Sequence, residues 1–397
     1  MAHFHLAWEL GGDAAHAGRL RVIAQALLAR GHAVSLSVRD LGPARRLFGD
    51  LDVKMLQAPL WLHSTAQHAS SLAEIMLASG YREAQTLDAL VRGWRSALEL
   101  LKPDVVVAEF APTALLAARS MDIPTAAIGA GFTLPPAGQP LPNFRPWEAV
   151  DLARLAGAEI HILKVMNTVL VHHGGVPYVQ AADALLGRQH FLCAWPETDH
   201  YGRPAESQQW FGPAFVSPAG EAPQWPPGHG HKVFVYLRQE HPAHVAVLHA
   251  LVMEGCRVLC YQPEVAAGAV PPVHATSLAY ARGPVDLAGA MAEARICVSQ
   301  AGEGTVAHSL LGGVPMLLLP TQLERYLLAA RLEQSGVAIN GGRLPGTVDW
   351  RSVVRSLLMD GRTLMAARGM ATRYAGFTQA QMAERLAGRL ELLAKTA

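Results

Sequence analysis

Short apolar strands alternate with helices twice along this chain, and this alternation limits the fold more than any other feature. In the first half, apolar runs at residues 4–8, 33–38, 53–56, 105–108 and 125–128 alternate with helical patterns at 17–30, 70–101 and 113–120. Such alternation predicts a parallel sheet with helices on both faces. Ligands of such sheets bind beyond the carboxyl ends of the strands. We therefore expect residues 9–16 and 109–112 to lie at the binding edge.

A Pro- and Gly-rich segment, residues 214–231, divides the chain. It contains four prolines and three glycines, a composition typical of a linker. The alternation then restarts with strands at 232–237, 257–261, 295–299 and 316–319 and helices at 244–253, 285–293, 304–311 and 324–335. We predict an α/β protein with two Rossmann-like, doubly wound domains, 1–213 and 232–378, that face a cleft holding the active site. The C-terminal residues 379–397 read as an amphipathic helix, and packing back on the first domain is one option for it.

Composition excludes several other classes of protein. The chain is 51% hydrophobic and 16% charged, which excludes disorder, and its net charge of +1 without a basic stripe argues against a nucleic-acid partner. No apolar run reaches about 18 residues, so we expect no transmembrane segment. The start lacks a signal-peptide pattern, and the four cysteines read as reduced thiols, so we expect a cytoplasmic protein. A peripheral membrane role and a homodimer both stay open.

Metal chemistry is not expected from the sequence. None of the 18 histidines, which include the pair at 172–173, combines with cysteine or an acidic residue at zinc spacing. The sequence therefore predicts no metal-binding residues.

A glycine-bearing turn follows the strand that ends at Ser299. It reads Gln-Ala-Gly-Glu-Gly-Thr over residues 300–305. Gly302 and Gly304 allow backbone amides to approach an anion, and Thr305, at the start of a helix, adds a hydroxyl donor. An ordinary strand-to-helix turn would also explain this pattern. The absence of a Walker A lysine and of a full G-x-G-x-x-G argues against P-loop ATPases and dinucleotide oxidoreductases.

The surroundings of this turn resemble family-one GT-B glycosyltransferases, the group of UDP-glycosyltransferases and bacterial antibiotic-type enzymes. Residues 298–315, VSQAGEGTVAHSLLGGVP, are similar to their donor signature, as are Pro320, the pair at 324–325 and Gly336. The likeness continues at residues 11–16, 30–32, 196–201, 210–213 and 284–287. It therefore spans nearly the whole chain.

The resemblance implies a role for each donor-side residue. Gly302, Gly304 and Thr305 would hold the diphosphate of a nucleoside diphosphate sugar. The backbone near Gly283 and Val285 would meet the base. The remaining pair, Glu324 and Arg325, would face the sugar hydroxyls.

Several positions depart from the pattern of the family and leave the donor open, with a UDP-sugar first and a dTDP-sugar second. Gln300 stands where relatives have histidine, and His308 stands where they have a ribose-binding glutamate; a solvated helix histidine is the alternative for His308. The pair Glu324-Arg325 replaces the usual Asp-Gln. Arg238 replaces small residues and could bind the diphosphate through two hydrogen bonds. A surface arginine is the alternative reading of Arg238.

Transfer of a sugar to a hydroxyl needs a base that takes the proton of that hydroxyl. The resemblance places the catalytic histidine of the family at His16, which follows the first strand in a glycine loop with Gly12 and Asp13. A histidine base needs a carboxylate partner. Glu109 follows the strand at 105–108, which ends at the same predicted edge of the sheet. We therefore predict a His16–Glu109 dyad, with Asp13 as the competing partner. A helix-start histidine without chemistry is the alternative for His16.

The acceptor side is expected in the first domain. Trp61, Tyr81, Phe132 and Phe144 are the candidate residues there, and aromatic lining would suit a small apolar or aromatic acceptor. Core packing is the alternative for all four.

The predicted function is that of an inverting, metal-independent glycosyltransferase of the kind that modifies natural products. It needs no cofactor beyond the nucleoside diphosphate sugar as co-substrate. Two alternatives remain at this stage: a sugar-nucleotide 2-epimerase on the same fold, and a non-catalytic GT-B auxiliary or activator protein.

Overall fold

Two parallel sheets organise the chain in the computed structural model. The structure describes residues 1–12, 14–63, 68–216, 220–238, 241–344 and 346–395. The chain divides into one unit of Met1–Val216 with Thr378–Ala397 and a second of Ser217–Phe377. The division after Val216 falls within the segment 214–231 that the sequence marks as a linker.

The first unit contains a six-stranded sheet flanked by helices. Its elements are β1 (His3–Trp8), α1 (Ala14–Ala29), β2 (Ala33–Val38), α2 (Leu41–Phe48), β3 (Lys54–Gln57), α3 (Leu72–Leu77), α4 (Ala84–Leu101), β4 (Val105–Glu109), α5 (Pro112–Arg119), β5 (Thr125–Gly129), α6 (Leu152–His172), α7 (Asp183–Leu186) and β6 (Gln189–Leu192). The strand order is β3-β2-β1-β4-β5-β6, with parallel pairing throughout. The winding direction reverses between β1 and β4, which makes that gap the topological switch point.

The second unit repeats this plan. Its elements are β7 (Lys232–Tyr236), α8 (His244–Met253), β8 (Arg257–Tyr261), α9 (Pro263–Ala266), β9 (Leu278–Tyr280), α10 (Leu287–Glu293), β10 (Ile296–Ser299), α11 (Glu303–Gly312), β11 (Met316–Leu318), α12 (Leu323–Gln334), β12 (Ala338–Asn340), α13 (Trp350–Met359) and α14 (Gly361–Arg373). The strand order is β12-β11-β10-β7-β8-β9, again parallel. Here the switch point lies between β7 and β10.

The last helix, α15 (Gln379–Lys395), belongs to the first unit. It packs against α1 and buries an apolar stripe of Leu386, Leu390 and Leu393. Its outer face pairs with the chain after α1, since Arg30 binds Glu391 and His32 Nε2 lies 2.7 Å from the same carboxylate. The C-terminal helix therefore packs on the first domain, the option raised by its amphipathic pattern.

Two local predictions were wrong. Residues 70–101 do not form one helical stretch: α3 and α4 are separate helices, because Gly80 adopts φ +99° and Tyr81 turns into the core between them. His16 does not lie in a glycine loop. It stands in the first turn of α1. The Ala-Ala-His-Ala sequence from residue 14 favours a helix, so α1 begins at Ala14, three residues before the predicted start. Sequence reasoning also missed the helices α2, α6, α7, α9, α13 and α14 and the strands β6, β9 and β12.

The four cysteines are buried free thiols. Burial raises the pKa of Cys260 and of Cys297 to about 12, so both thiols stay protonated at neutral pH. No helix in the described ranges is both long and apolar enough to cross a bilayer.

Candidate functional site

The first candidate site lies at the switch point of the first sheet, where β1 and β4 end side by side. Trp8 of β1 pairs in register with Glu109 of β4. His16 Nδ1 lies 2.6 Å from Oε2 of Glu109, so the predicted contact between these two residues is present. Arg19, one turn further along α1, donates from Nη1 to Oε1 of the same carboxylate. Both oxygens of Glu109 therefore bind side chains of α1.

Glu109 is ionised in this arrangement. Its side chain is fully buried, and burial alone raises the pKa of a carboxyl group. The charge that His16 carries when it is protonated, the charge of Arg19 and the hydrogen bonds from both side chains outweigh burial and hold the pKa of Glu109 below its ordinary value. The ionised carboxylate accepts the proton on Nδ1 of His16, which places the lone pair of a neutral imidazole on Nε2. This is the tautomer that a general base requires.

The ring of His16 is held between aromatic side chains and a glycine. Its centroid lies 6.1 Å from that of Trp8, in a stacked orientation, and 6.2 Å from that of Phe110. Phe110 adopts φ +47°, a conformation that is costly for a bulky residue and that clusters at functional sites. On the Nε2 side, a Cβ added at Gly11 would overlap Nε2 and lie 2.8 Å from Cδ2. Gly11 thus gives the reactive nitrogen its room.

A second buried carboxyl group, Glu9, follows β1 and caps α5. Thr113, in the first turn of α5, donates its backbone N–H to Oε2 of Glu9 at 2.9 Å and its hydroxyl to Oε1. The hydroxyl of Tyr81 lies 2.8 Å from Thr113 Oγ1. Burial raises the pKa of Glu9 to about 7, against the hydrogen bonds from Thr113 and Ala114. Glu9 therefore titrates near neutrality at the end of the strand that leads to His16.

We expect the substitution Glu9→Gln to flatten the pH dependence of stability between about pH 5 and 7. The folded-state pKa exceeds 4.5, so the carboxyl contributes fully to stability below that pH, and the contribution is lost as pH rises through about 7. The rise from 4.5 to about 7 corresponds to about 3 kcal/mol. In urea unfolding from about pH 5 to pH 8, the wild type should lose stability relative to the variant. A constant difference between the two proteins would contradict this assignment.

The predicted acceptor aromatics divide into two groups. Phe132 is buried, and its ring centroid lies 6.3 Å from that of Phe110 and 4.9 Å from that of Phe144. Phe132 and Phe144 are therefore linked to the His16 site through Phe110. Tyr81 is fully buried, with its hydroxyl on Thr113, and Trp61 is partly exposed beside His63. Contact of these four side chains with an acceptor stays a prediction.

The second candidate site lies at the switch point of the second sheet. Gly302 is the N-cap of α11, whose first intrahelical bond runs from Val306 N to Gly302 O at 3.0 Å. The amides of residues 303–305 precede that bond, so they have no helical acceptor, and the helix dipole adds partial positive charge at this end. Ala301, just before the cap, adopts φ +60° although it is not glycine. This strained turn aims the start of α11 past the carboxyl end of β10.

Two of the unusual donor-side residues bind each other. Arg325, in the first turn of α12, donates from Nη1 to Oε1 of Gln300 at 3.0 Å. The carbonyl of Gln300 is thereby used, which leaves its amide NH₂ group as the donor toward a ligand. His308, one turn along α11, is half-buried, and burial lowers its pKa although Asp286 opposes this. A neutral His308 acts as a hydrogen-bond partner and not as a charge.

The other predicted donor residues lie at the same edge of the second sheet. Arg238 follows β7, the neighbour of β10, and its exposed guanidinium is 3.9 Å from Glu264. Val285 is buried and forms a parallel bridge with Glu221, while Gly283 has open space where a Cβ would stand. Glu324 shares the half-buried first turn of α12 with Arg325. Contact of these residues with a donor stays a prediction.

Two residues of the β1–α1 loop were also predicted to lie near a substrate. Gly12 is exposed, and no atom of the described residues lies within 4 Å of a Cβ added there. Asp13, the competing partner for His16, lies outside the described residues.

One group of side chains in the described ranges has metal-ligand geometry: Asp88 of α4 with His172 and His173 at the end of α6. Sequence spacing could not show this group, because Asp88 and His173 are 85 residues apart and only the fold brings Asp88 Oδ1 to 2.7 Å from His173 Nε2. Arg92 also binds this cluster, with Nε 2.7 Å from Asp88 Oδ2 and Nη2 2.9 Å from His172 Nε2. A guanidinium thus already supplies a positive charge there.

Sequence reasoning did not single out Arg19, Gly11, Trp8 or Phe110 at the His16 site. Arg19 lies three positions after His16, on the same buried face of α1, and the other inward residues of that helix are apolar. A charged residue on this apolar face was the signal that could have identified Arg19. Gly11 was treated only as part of a glycine loop, and its contact with the imidazole depends on the fold.

Comparison with known proteins supports the architecture. No protein-family model matches the chain, and a search of curated proteins finds no match. Among solved structures, the chain is similar to the glycotransferase of kitacinnamycin at 18% identity and a TM-score of 0.70, covering 99% of each chain. It is similar to glycosyltransferase VinC in complex with dTDP at 18% identity and a TM-score of 0.68, covering 100% of each chain.

A third similar structure is the spinosyn rhamnosyltransferase SpnG, at 15% identity and a TM-score of 0.66, covering 98% of this chain and 100% of that one. These likenesses extend over whole chains and show the fold: two Rossmann-like units of the GT-B type. The predicted fold class is therefore confirmed.

Proposed function

We propose that this protein is a glycosyltransferase that moves a sugar from a nucleoside diphosphate sugar to a hydroxyl of a small acceptor. The observation that carries the proposal is the buried His16–Glu109 pair at the switch point of the first sheet. In a GT-B chain, this position puts a base at the edge of the sheet where a ligand of the first unit is expected to bind. The glycosyltransferases with the same fold support the reaction class.

The chemistry of the proposed step uses one side chain as the base. As the acceptor oxygen attacks the anomeric carbon, its proton passes to Nε2 of His16. The bond between the anomeric carbon and the diphosphate oxygen breaks, and the nucleoside diphosphate leaves with the electron pair. Glu109 stabilises the imidazolium that forms. A single displacement inverts the anomeric configuration.

The donor is proposed to bind at the start of α11. The amides of its first turn and the hydroxyl of Thr305 would hold the diphosphate, with the NH₂ group of Gln300 beside them. These contacts stabilise the negative charge that grows on the leaving group. VinC was solved with dTDP, which supports dTDP-sugars as well as UDP-sugars as candidate donors.

The acceptor is proposed to be apolar or aromatic. The ring of Phe110 lies next to His16 and that of Phe132 lies next to Phe110, with centroid distances of 6.2 and 6.3 Å. Aromatic faces favour flat or hydrophobic molecules that carry one hydroxyl toward the base.

A thermal-shift panel tests the donor half of the proposal. UDP, dTDP, GDP and ADP are each added to the full chain, alone and as their hexose conjugates. A ligand that binds only the folded state raises Tm by mass action. We expect UDP or dTDP to give the largest shift. If none of the eight ligands shifts Tm, the chain is not a nucleotide-sugar enzyme, and a non-catalytic GT-B protein becomes the better account.

Substituting Gly302→Val should weaken the binding of that nucleotide roughly tenfold or more, about 1.4 kcal/mol, without unfolding the protein. Gly302 has φ −69° and ψ 134°, which valine adopts readily, and no described atom lies within 4 Å of an added Cβ. The new side chain would stand at the N-cap of α11, beside the amides proposed to hold the diphosphate. Calorimetric titration measures the affinity.

The matched control is Gly361→Val. Gly361 is the first residue of α14, and a Cβ there also meets no described atom within 4 Å. This variant should bind the nucleotide like the wild type. Equal affinity in both variants would remove the start of α11 from the donor site.

A further inference from the structure

We propose that Arg19 is a positioning residue that keeps His16 in its neutral, base-competent form. The inference rests on the proposed role of His16 as base. The starting observation is that two side chains of α1 bind the two oxygens of one carboxylate on β4: His16 lies at Oε2 of Glu109 and Arg19 donates to Oε1. The relative exposure of the three residues is 3%, 0% and 1% for His16, Glu109 and Arg19, so water compensates little of this charge.

The position of Arg19 fixes the geometry of the pair. His16 and Arg19 are three residues apart on α1 and therefore share one helix face. Since Arg19 holds Oε1, the carboxylate of Glu109 cannot rotate away and presents Oε2 to Nδ1. A guanidinium suits this task because it stays charged at every working pH.

The charge of Arg19 has a second consequence, on the protonation of His16. A lone buried glutamate beside an imidazole strongly favours the imidazolium, which has no lone pair with which to accept a proton. The Glu109–Arg19 pair carries no net charge. It therefore still orients the imidazole through the hydrogen bond to Nδ1, yet favours protonation of His16 less than a lone carboxylate would.

The expected signature is a shift of the pH profile that high pH reverses. In Arg19→Met, we expect the apparent pKa of the His16–Glu109 pair to rise by about one unit. This is the lower end of the shift that a nearby charge produces. The acid limb of kcat/KM moves up by the same amount. Near neutral pH, transfer should fall roughly tenfold and recover in alkaline buffer. Loss of structure alone would lower activity at every pH.

The titration of His16 is measured directly by NMR on protein labelled at histidine Cε1, with the His16→Ala spectrum as the assignment. The matched control is Arg21→Met. Arg21 lies on the same helix but pairs with Asp50, at 2.6 and 2.7 Å, away from His16. We expect an upward shift in Arg19→Met, no shift in Arg21→Met and a near wild-type titration in Arg19→Lys. Arg19→Gln, which keeps donors without charge, gives the same test if methionine is not tolerated.

The two readouts separate the positioning role from the proposed reaction. An upward shift of the His16 titration in a protein that transfers no sugar supports the role of Arg19 and contradicts the transferase. Sugar transfer with an unmoved titration and an unmoved acid limb in both neutral variants overturns the role of Arg19 and leaves the transferase standing.

Discussion

Replacing His16 with alanine is expected to lower the rate of sugar transfer by roughly 10²–10⁴-fold, the range that a positioned general base contributes. The imidazole is the group placed to take the acceptor proton, because its Nδ1 is bound by an ionised Glu109. Binding of the nucleotide should stay within about twofold of the wild type, since the proposed donor contacts lie in the second unit. Steady-state kinetics and calorimetry measure the two effects.

The matched control is His32→Ala. His32 also pairs with a glutamate, its Nε2 lying 2.7 Å from the half-buried Glu391. However, His32 precedes β2 and so stands at the opposite end of the sheet from His16. Its loss should affect stability and leave turnover near the wild-type value. If His16→Ala turns over as fast as His32→Ala, His16 is not the base.

Substituting Gly11→Ala should have the second largest effect and should reduce transfer at least tenfold, roughly the cost of a misplaced catalytic group. The new Cβ would overlap Nε2 of His16 and press on ring carbons at 2.8 and 2.9 Å. The ring is held by Glu109 and stacks beside Trp8. It can therefore avoid the clash only by moving out of the orientation that a general base needs. The variant should also lose about 1 kcal/mol of stability, because alanine is strained at φ +78°.

Gly31→Ala separates strain from the clash. Gly31 has φ +80°, almost the same as Gly11, but within the part of the chain that the structure describes no atom lies within 4 Å of its added Cβ. Both variants should therefore lose the same contribution from backbone strain in chemical denaturation. Any further loss of stability in Gly11→Ala comes from the clash with His16, and only Gly11→Ala should lose activity. Equal activity of the two would show that His16 does not need the space beside Gly11.

Much of the fold could be predicted because buried parallel strands leave a plain signal. Apolar runs such as residues 105–108 and 296–299 alternate with helical patterns, and each became a central strand. The His16–Glu109 contact was predictable for a related reason: strands of a parallel sheet end at one edge, so residues that follow them lie close. The adjacency of β1 and β4 then brought these two residues into contact.

The missing parts depend on contacts between distant segments of the chain. An arginine in a helix is usually solvated, and Arg19 is buried only because Glu109, 90 residues away, meets it. The same applies to Asp88 and His173, which are 85 residues apart. The break between α3 and α4 was missed because an isolated glycine is tolerated in a helical pattern, and only the packing of Tyr81 in the core requires the turn at Gly80.

The central claim is that this GT-B chain releases a nucleoside diphosphate from a nucleotide sugar as it glycosylates a hydroxyl, with His16 as the base. The most direct measurement is the release of UDP or dTDP from the corresponding hexose conjugates, with and without a panel of hydroxylated aromatic acceptors, by the wild type and His16→Ala. We predict release that depends on an acceptor and falls by at least 10²-fold in the variant. Tight binding of the nucleotide with no release for any acceptor, or equal release by both proteins, would contradict the claim.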